Sequence, residues 1–88
     1  MKHSIEKALL TLEDEKNLKK FLHDLLSPKE YESLKERWNV VQLLDKGMSY
    51  REISEKTGVS TATVTRVARC LGASGSGYQI ALAQLKSK

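Results

Sequence analysis

One cysteine, one proline and one tryptophan stand among 88 residues, and each scarcity excludes something. Cys70 alone cannot form a disulfide within the chain, and such usage points to a reducing compartment. Beside it stand only His3 and His23, too few for the usual Cys/His zinc site. No apolar run approaches the roughly 20 residues of a membrane span. The opening Met1-Lys2-His3-Ser4-Ile5-Glu6-Lys7, with acids at 13–15, lacks the pattern of a signal peptide. A cytoplasmic protein is expected. Strand-like alternation and internal repeats are missing too. No pair of titratable groups is spaced to form an active site, so the chain is not expected to be an enzyme.

Acid is missing from one end of the chain. No Asp or Glu follows Glu55. Residues 1–46 carry nine basic and nine acidic side chains, whereas residues 47–88 carry six basic and two acidic, a local excess of +4. A neutral scaffold with a basic face for a polyanion is the functional meaning of this asymmetry, although chance in a short chain gives the same count.

What is present reads as helix punctuation. The length fits one small domain, 1–88, which buries a limited fraction of its surface and gains from a partner subunit. Ser27-Pro28 with Glu30 is an N-cap, a proline at the first helical position and a capping-box acid, predicting a helix from 28 to 46 closed by Gly47. Ser49 with Glu52 opens a second helix that stops at Gly58. Ser60 caps a third, Thr61 to Leu71, ended by Gly72. Upstream, Thr11 with Glu13 and Asp14 marks the start of a helix carrying Leu18, Phe21, Leu22, Leu25 and Leu26, and a shorter helix covers Ile5 to Leu10. Tyr78, Leu82 and Leu85 predict a final amphipathic helix over 78–86. The segment Gly72 to Gly77 lacks the GxGxxG spacing of a phosphate loop and is expected to be a flexible connector. The fold class is therefore all-α, with about six short helices.

Residues 49–71 form a helix-turn-helix pattern. Ile53 is apolar, Ser54 is small where the helices approach, Gly58 makes the turn, Val59 fills the corner, and Val64 and Val67 return to the core. An αα-hairpin needs the same glycine and apolar positions; the outer face of the second helix separates the two. At about 100° per residue, Val64, Val67, Ala68 and Leu71 share one arc. Thr61, Ala62, Thr65, Arg66 and Arg69 fill the other. A solvated face would mix Glu with Lys. Hydroxyls, a methyl and guanidiniums instead suit base edges, thymine methyls and phosphates in a major groove. Tyr50 and Arg51 are placed to lie over the backbone.

The 28–46 helix presents Tyr31, Leu34, Trp38, Val40, Val41 and Leu44 on a broad apolar arc with Arg37 in its middle. A buried arginine there needs an acceptor: a carboxylate of a packed helix, or that of a ligand.

Ser27-Pro28, Leu34, Arg37, Val41, Leu43-Leu44, Gly47-Met48-Ser49-x-Arg51-Glu52-Ile53 and Thr61-Ala62-Thr63-Val64-Thr65-Arg66 together resemble the Trp repressor superfamily. The run from Ser60 to Leu71 is especially similar to its YerC/YecD-like branch. The resemblance spans about residues 12–85. It implies an intertwined homodimer, with 78–86 as a dimerisation helix, binding an operator in double-stranded DNA through paired helix-turn-helix units at the nucleoid. The family's DNA contacts then fall on Tyr50, Arg51, Ser54, Thr61, Ala62 and Thr65, and with Ser60 at the cap and Arg66 and Arg69 of the outer arc these are the expected DNA-facing residues.

The same resemblance places a corepressor pocket at Ser27, Arg37, Thr63, Arg66 and Cys70. Arg37 and Arg66 match the arginines that hold the tryptophan corepressor. Val67 stands where the family has glycine and Cys70 where it has serine, adding bulk and removing a polar partner. The expectation is a transcriptional repressor that binds DNA without tryptophan or any other cofactor. Two alternatives stand beside it: a repressor responsive to tryptophan or another small carboxylate, and a helical protein-interaction module with a degenerate helix-turn-helix.

Overall fold

The computed structural model describes residues 2–88, so Met1, at the edge of the expected 1–88 domain, lies outside the described residues. Six helices and no strand occur among the described residues, and the chain is all-α. They are α1 (Ile5–Leu10), α2 (Glu15–Leu25), α3 (Pro28–Asp45), α4 (Tyr50–Thr57), α5 (Thr61–Gly72) and α6 (Gly77–Lys86). The chain divides after Ser33, within α3, into two compact units.

Caps fix most of the boundaries. Ser49 and Glu52 close a reciprocal box at the start of α4, and Ser27 and Glu30 exchange the same pair of bonds at the start of α3. Ser60 accepts from the Thr63 amide at the start of α5. Gly47 and Gly58 adopt the left-handed conformation, with φ of 87° and 78°, which glycine takes without the steric cost of a side chain.

α3 ends at Asp45 and α6 begins at Gly77, each one residue from the expected bound, and two further boundaries differ in their caps. The α2 cap is Asp14, which accepts from the Asn17 amide at 2.9 Å; the Thr11 hydroxyl is already donated to the Ala8 carbonyl, at 2.7 Å, closing α1. Gly72 does not end α5 either. The helix includes it, Ala73 follows as the C-cap, and the left-handed residue is Gly75, with φ of 69°. The 73–76 link is a hydrogen-bonded turn rather than the loose connector expected: Ala73 N–H donates to Cys70, and Ser76 N–H to Ala73.

In the first unit α1 and α2 bury no side chain fully. Leu18, Phe21, Leu22 and Leu26 are half-buried, while Leu10 is 82% exposed and Leu25 52%. The His23 and Tyr31 rings meet at 4.3 Å.

The second unit holds the whole fully buried core. Val40, Val41 and Leu43 from α3, Ile53 from α4, Val59 from the turn, Val64 and Val67 from α5 and Leu82 from α6 form one cluster. Trp38, Leu44, Met48, Leu71 and Tyr78 pack around it. The two valines of α5 thus face inward, and α5 packs against both α4 and α6. That arrangement turns its other side outward.

Candidate nucleic-acid interface

Between α4 and α5 the backbone reverses at Gly58, and three bonds lock the corner. Gly58 N–H donates to the Ser54 carbonyl at 2.9 Å. The Thr57 hydroxyl donates to Ile53 at 2.7 Å and accepts from the Val59 amide at 3.1 Å. Thr57 therefore spans the turn that Gly58 makes, while Ile53 and Val59 anchor it in the core.

The outward face of α5 has the composition expected. Thr61, Ala62, Thr65, Arg66 and Arg69 are exposed, as are Ser60 before the helix and Tyr50 and Arg51 at the start of α4. Ser54 is half-buried at the helix–helix approach. Thr65 donates its hydroxyl proton to the Thr61 carbonyl at 2.9 Å, which leaves the oxygen able to act as an acceptor. No acid lies in the first turn of α5, whereas α4 carries Glu52 there.

Four of the five expected ligand residues, Ser27, Arg37, Arg66 and Cys70, are exposed. Arg37 is exposed rather than buried, and no carboxylate is paired with it among the described residues. Helical periodicity tells which way residue 37 points, but not what covers it. In unit 2, Arg66 and Cys70 are exposed, while Thr63 is half-buried and bonded to Ser60 at 3.0 Å. Val67 is 4% exposed and belongs to the core cluster. Ser27, in the first unit, is occupied by its exchange with Glu30.

One polar residue escaped the sequence pattern. Gln79, in the first turn of α6, donates its side-chain amide to the Leu71 carbonyl at 2.7 Å and to Ala73 at 3.1 Å. The Ser76-x-x-Gln79 spacing was the available signal for it.

An all-helical chain with a glycine-turned helix pair, its second helix basic and hydroxylic on the outside, defines the class of helix-turn-helix proteins. The sequence model of the family described as "Trp repressor protein" matches residues 3–86. The chain belongs to that family. It is 38% identical over 79 residues to the "Uncharacterized protein YerC" of Bacillus subtilis (strain 168), covering 90% of this chain and 76% of that one. Its fold is similar to the crystal structure of a TrpR like protein from Eubacterium eligens ATCC 27750. There the TM-score is 0.84 and the identity 35%, with 93% of this chain and 84% of the other covered.

Proposed function

We propose that this protein is a sequence-specific DNA-binding transcriptional regulator, a repressor, that places α5 in the major groove of a double-stranded operator. The observation that carries this is the outer face of α5. Its core residues are spent on Val64 and Val67, and Thr61, Ala62, Thr65, Arg66 and Arg69 are left outward with no acid among them. Membership of the Trp repressor family supports the same assignment. Thr61, Ala62 and Thr65 read bases, helped by Ser60. Arg51, Arg66, Arg69, Tyr50 and Ser54 hold the backbone and set register. The site is a regulator's, not an enzyme's, and the protein works in the cytoplasm, on the nucleoid.

The active species is a homodimer. Ile80 is 57% exposed, Leu85 55% and Leu10 82%, and the first unit has no fully buried side chain of its own. A second copy gives these faces a cover, and two reading helices spaced about one DNA turn, roughly 34 Å, follow from two-fold symmetry. Light scattering at micromolar concentration should give twice the chain mass; a monomer overturns this point.

Enrichment of duplexes from a random-sequence library tests the DNA assignment. The protein should select one short, near-palindromic motif, with affinity falling in log–log proportion to salt at about −0.9 per phosphate contacted. A helical module that binds only proteins would enrich no sequence and show no such slope.

A further inference from the structure

Three serine-capped helix starts in this chain carry Glu or Gln three places on, and one of them is used differently. Ser27/Glu30 and Ser49/Glu52 form reciprocal boxes, the carboxylate returning to the cap's own amide. At Ser76/Gln79 only half of the box exists. The Gln79 amide donates to the Ser76 hydroxyl at 3.2 Å, but the side chain does not return to the Ser76 N–H, which is given to Ala73.

The Gln79 side chain reaches backward out of α6 instead. Its nitrogen lies 2.7 Å from the Leu71 carbonyl and 3.1 Å from the Ala73 carbonyl. The last carbonyls of a helix have no partner within it. Gln79 supplies the shorter of two donors to Leu71, in the final turn of α5, where the Ser76 hydroxyl also donates at 3.5 Å, and one to its C-cap residue. A glutamate here has no proton to give to carbonyls. An amide does. Gln79 is thus a clip from the first turn of α6 onto the end of α5, while Leu82, one turn further on, holds α6 in the shared core.

We propose that Gln79 is a positioning residue for DNA recognition: by clipping the C-terminal end of α5 to α6, it fixes the angle at which the α5 outer face meets the groove. This rests on the assignment of α5 as the reading helix. Base readout depends on sub-ångström placement of Thr61, Ala62 and Thr65, whereas attraction to phosphate does not. Losing the clip therefore reduces discrimination between sequences more than affinity for DNA as such.

Two variants separate this role from a merely structural one. Gln79→Glu removes both donors at the same side-chain length, with the Ser76 N–H still given to Ala73. Gln79→Lys keeps donors at the end of a side chain that reaches the same carbonyls, where a cation is favoured. Duplexes enriched by the wild-type protein and scrambled duplexes serve as probes, beside thermal unfolding. At a temperature where both proteins are fully folded, Gln79→Glu should lose roughly three- to tenfold in the ratio of enriched to scrambled affinity, the worth of one or two hydrogen bonds. Gln79→Lys should restore that ratio. In nitrogen-15 NMR of the free wild-type protein, the Gln79 side-chain amide protons should exchange more slowly than those of Gln84, for which no side-chain bond to a carbonyl is seen.

An unchanged ratio in Gln79→Glu overturns the proposal and leaves the DNA assignment standing. Parallel loss of both affinities with an earlier melt marks Gln79 as structural only, and also overturns it. If the wild-type protein enriches no sequence, the DNA assignment itself falls and the proposal falls with it.

Discussion

The Lys86 ammonium stands 2.9 Å from one oxygen of the Asp45 carboxylate and 3.2 Å from the other, joining the last turn of α6 to the last residue of α3. Lys86 is 65% exposed and Asp45 29% exposed, so water and salt screen the pair. Asp45→Asn should lower stability by less than about 1 kcal/mol, and the loss should vanish at high salt. Urea titrations at low and high ionic strength decide this; a large, salt-independent loss would mean that Asp45 does more than pair with Lys86.

The core responds differently. Ile53 is fully buried and holds α4 against the cluster of Val40, Val41, Val64 and Val67. Ile53→Ala should cost about 2–5 kcal/mol through lost transfer energy and the cavity left behind. Denaturant midpoints measure it directly, and a cost below that of Asp45→Asn would contradict the assigned core.

Acid should loosen the starts of α3 and α4. The Ser27 backbone amide, then the Ser27 hydroxyl, hold the Glu30 carboxyl below its ordinary value; for Glu52 the order is the Ser49 side chain, then its backbone. A lowered folded-state value means that the stabilisation is complete above the ordinary carboxylate range near 4.5 and is lost as pH falls through the lowered values. Helical circular dichroism should therefore decline on acidification below about pH 4. Glu52→Gln, whose amide oxygen still accepts from Ser49, should flatten part of that decline. If the double Gln variant at 30 and 52 titrates like wild type, the boxes are not the groups responsible.

On DNA, Arg51→Ala should weaken enriched and random duplexes alike and reduce the salt slope by about 1. Thr65→Ala should mainly reduce discrimination, by about 1–3 kcal/mol if one base contact is lost. Equal affinity of wild type and the Arg51/Arg69 double-alanine variant for every duplex would remove the backbone role from both arginines.

L-tryptophan should leave the protein unaffected. Val67 is packed in the core and Cys70 offers only a weakly accepting thiol. Calorimetry should record no binding heat, and DNA affinity should not change when the amino acid is added. Micromolar binding that tightens the DNA complex would restore a corepressor to this chain.

How far the sequence reveals such a molecule depends on the range of the forces involved. Ser49, Gly58 and Ser60 were legible because a cap and a left-handed turn are settled within four residues. The outer arc of α5 was legible because helical periodicity carries directly into exposure at Thr61, Thr65, Arg66 and Arg69. Thr11 and Asp14 are both good cap formers, and only the path of α1 decides that Thr11 ends one helix while Asp14 begins the next. Gln79 was hidden for a different reason: its partners exist only once the 73–76 turn brings the end of α5 alongside it. The surroundings of Arg37 depend on what packs over its helix, which no local pattern encodes.

The missing acid at the front of α5 has a consequence for how this chain can change. Position 63 is the third residue of a serine-capped helix, the place where Glu30 and Glu52 serve their own helices. Thr63→Glu would complete the box and give the helix a stronger start. It would also set a negative charge beside the surface offered to a polyanion, against the positive pole of the helix. Under the proposed function, selection for a sturdier fold and selection for DNA affinity therefore pull on this one position in opposite directions. A survey of stabilising substitutions alone would favour a change set against the proposed role of α5.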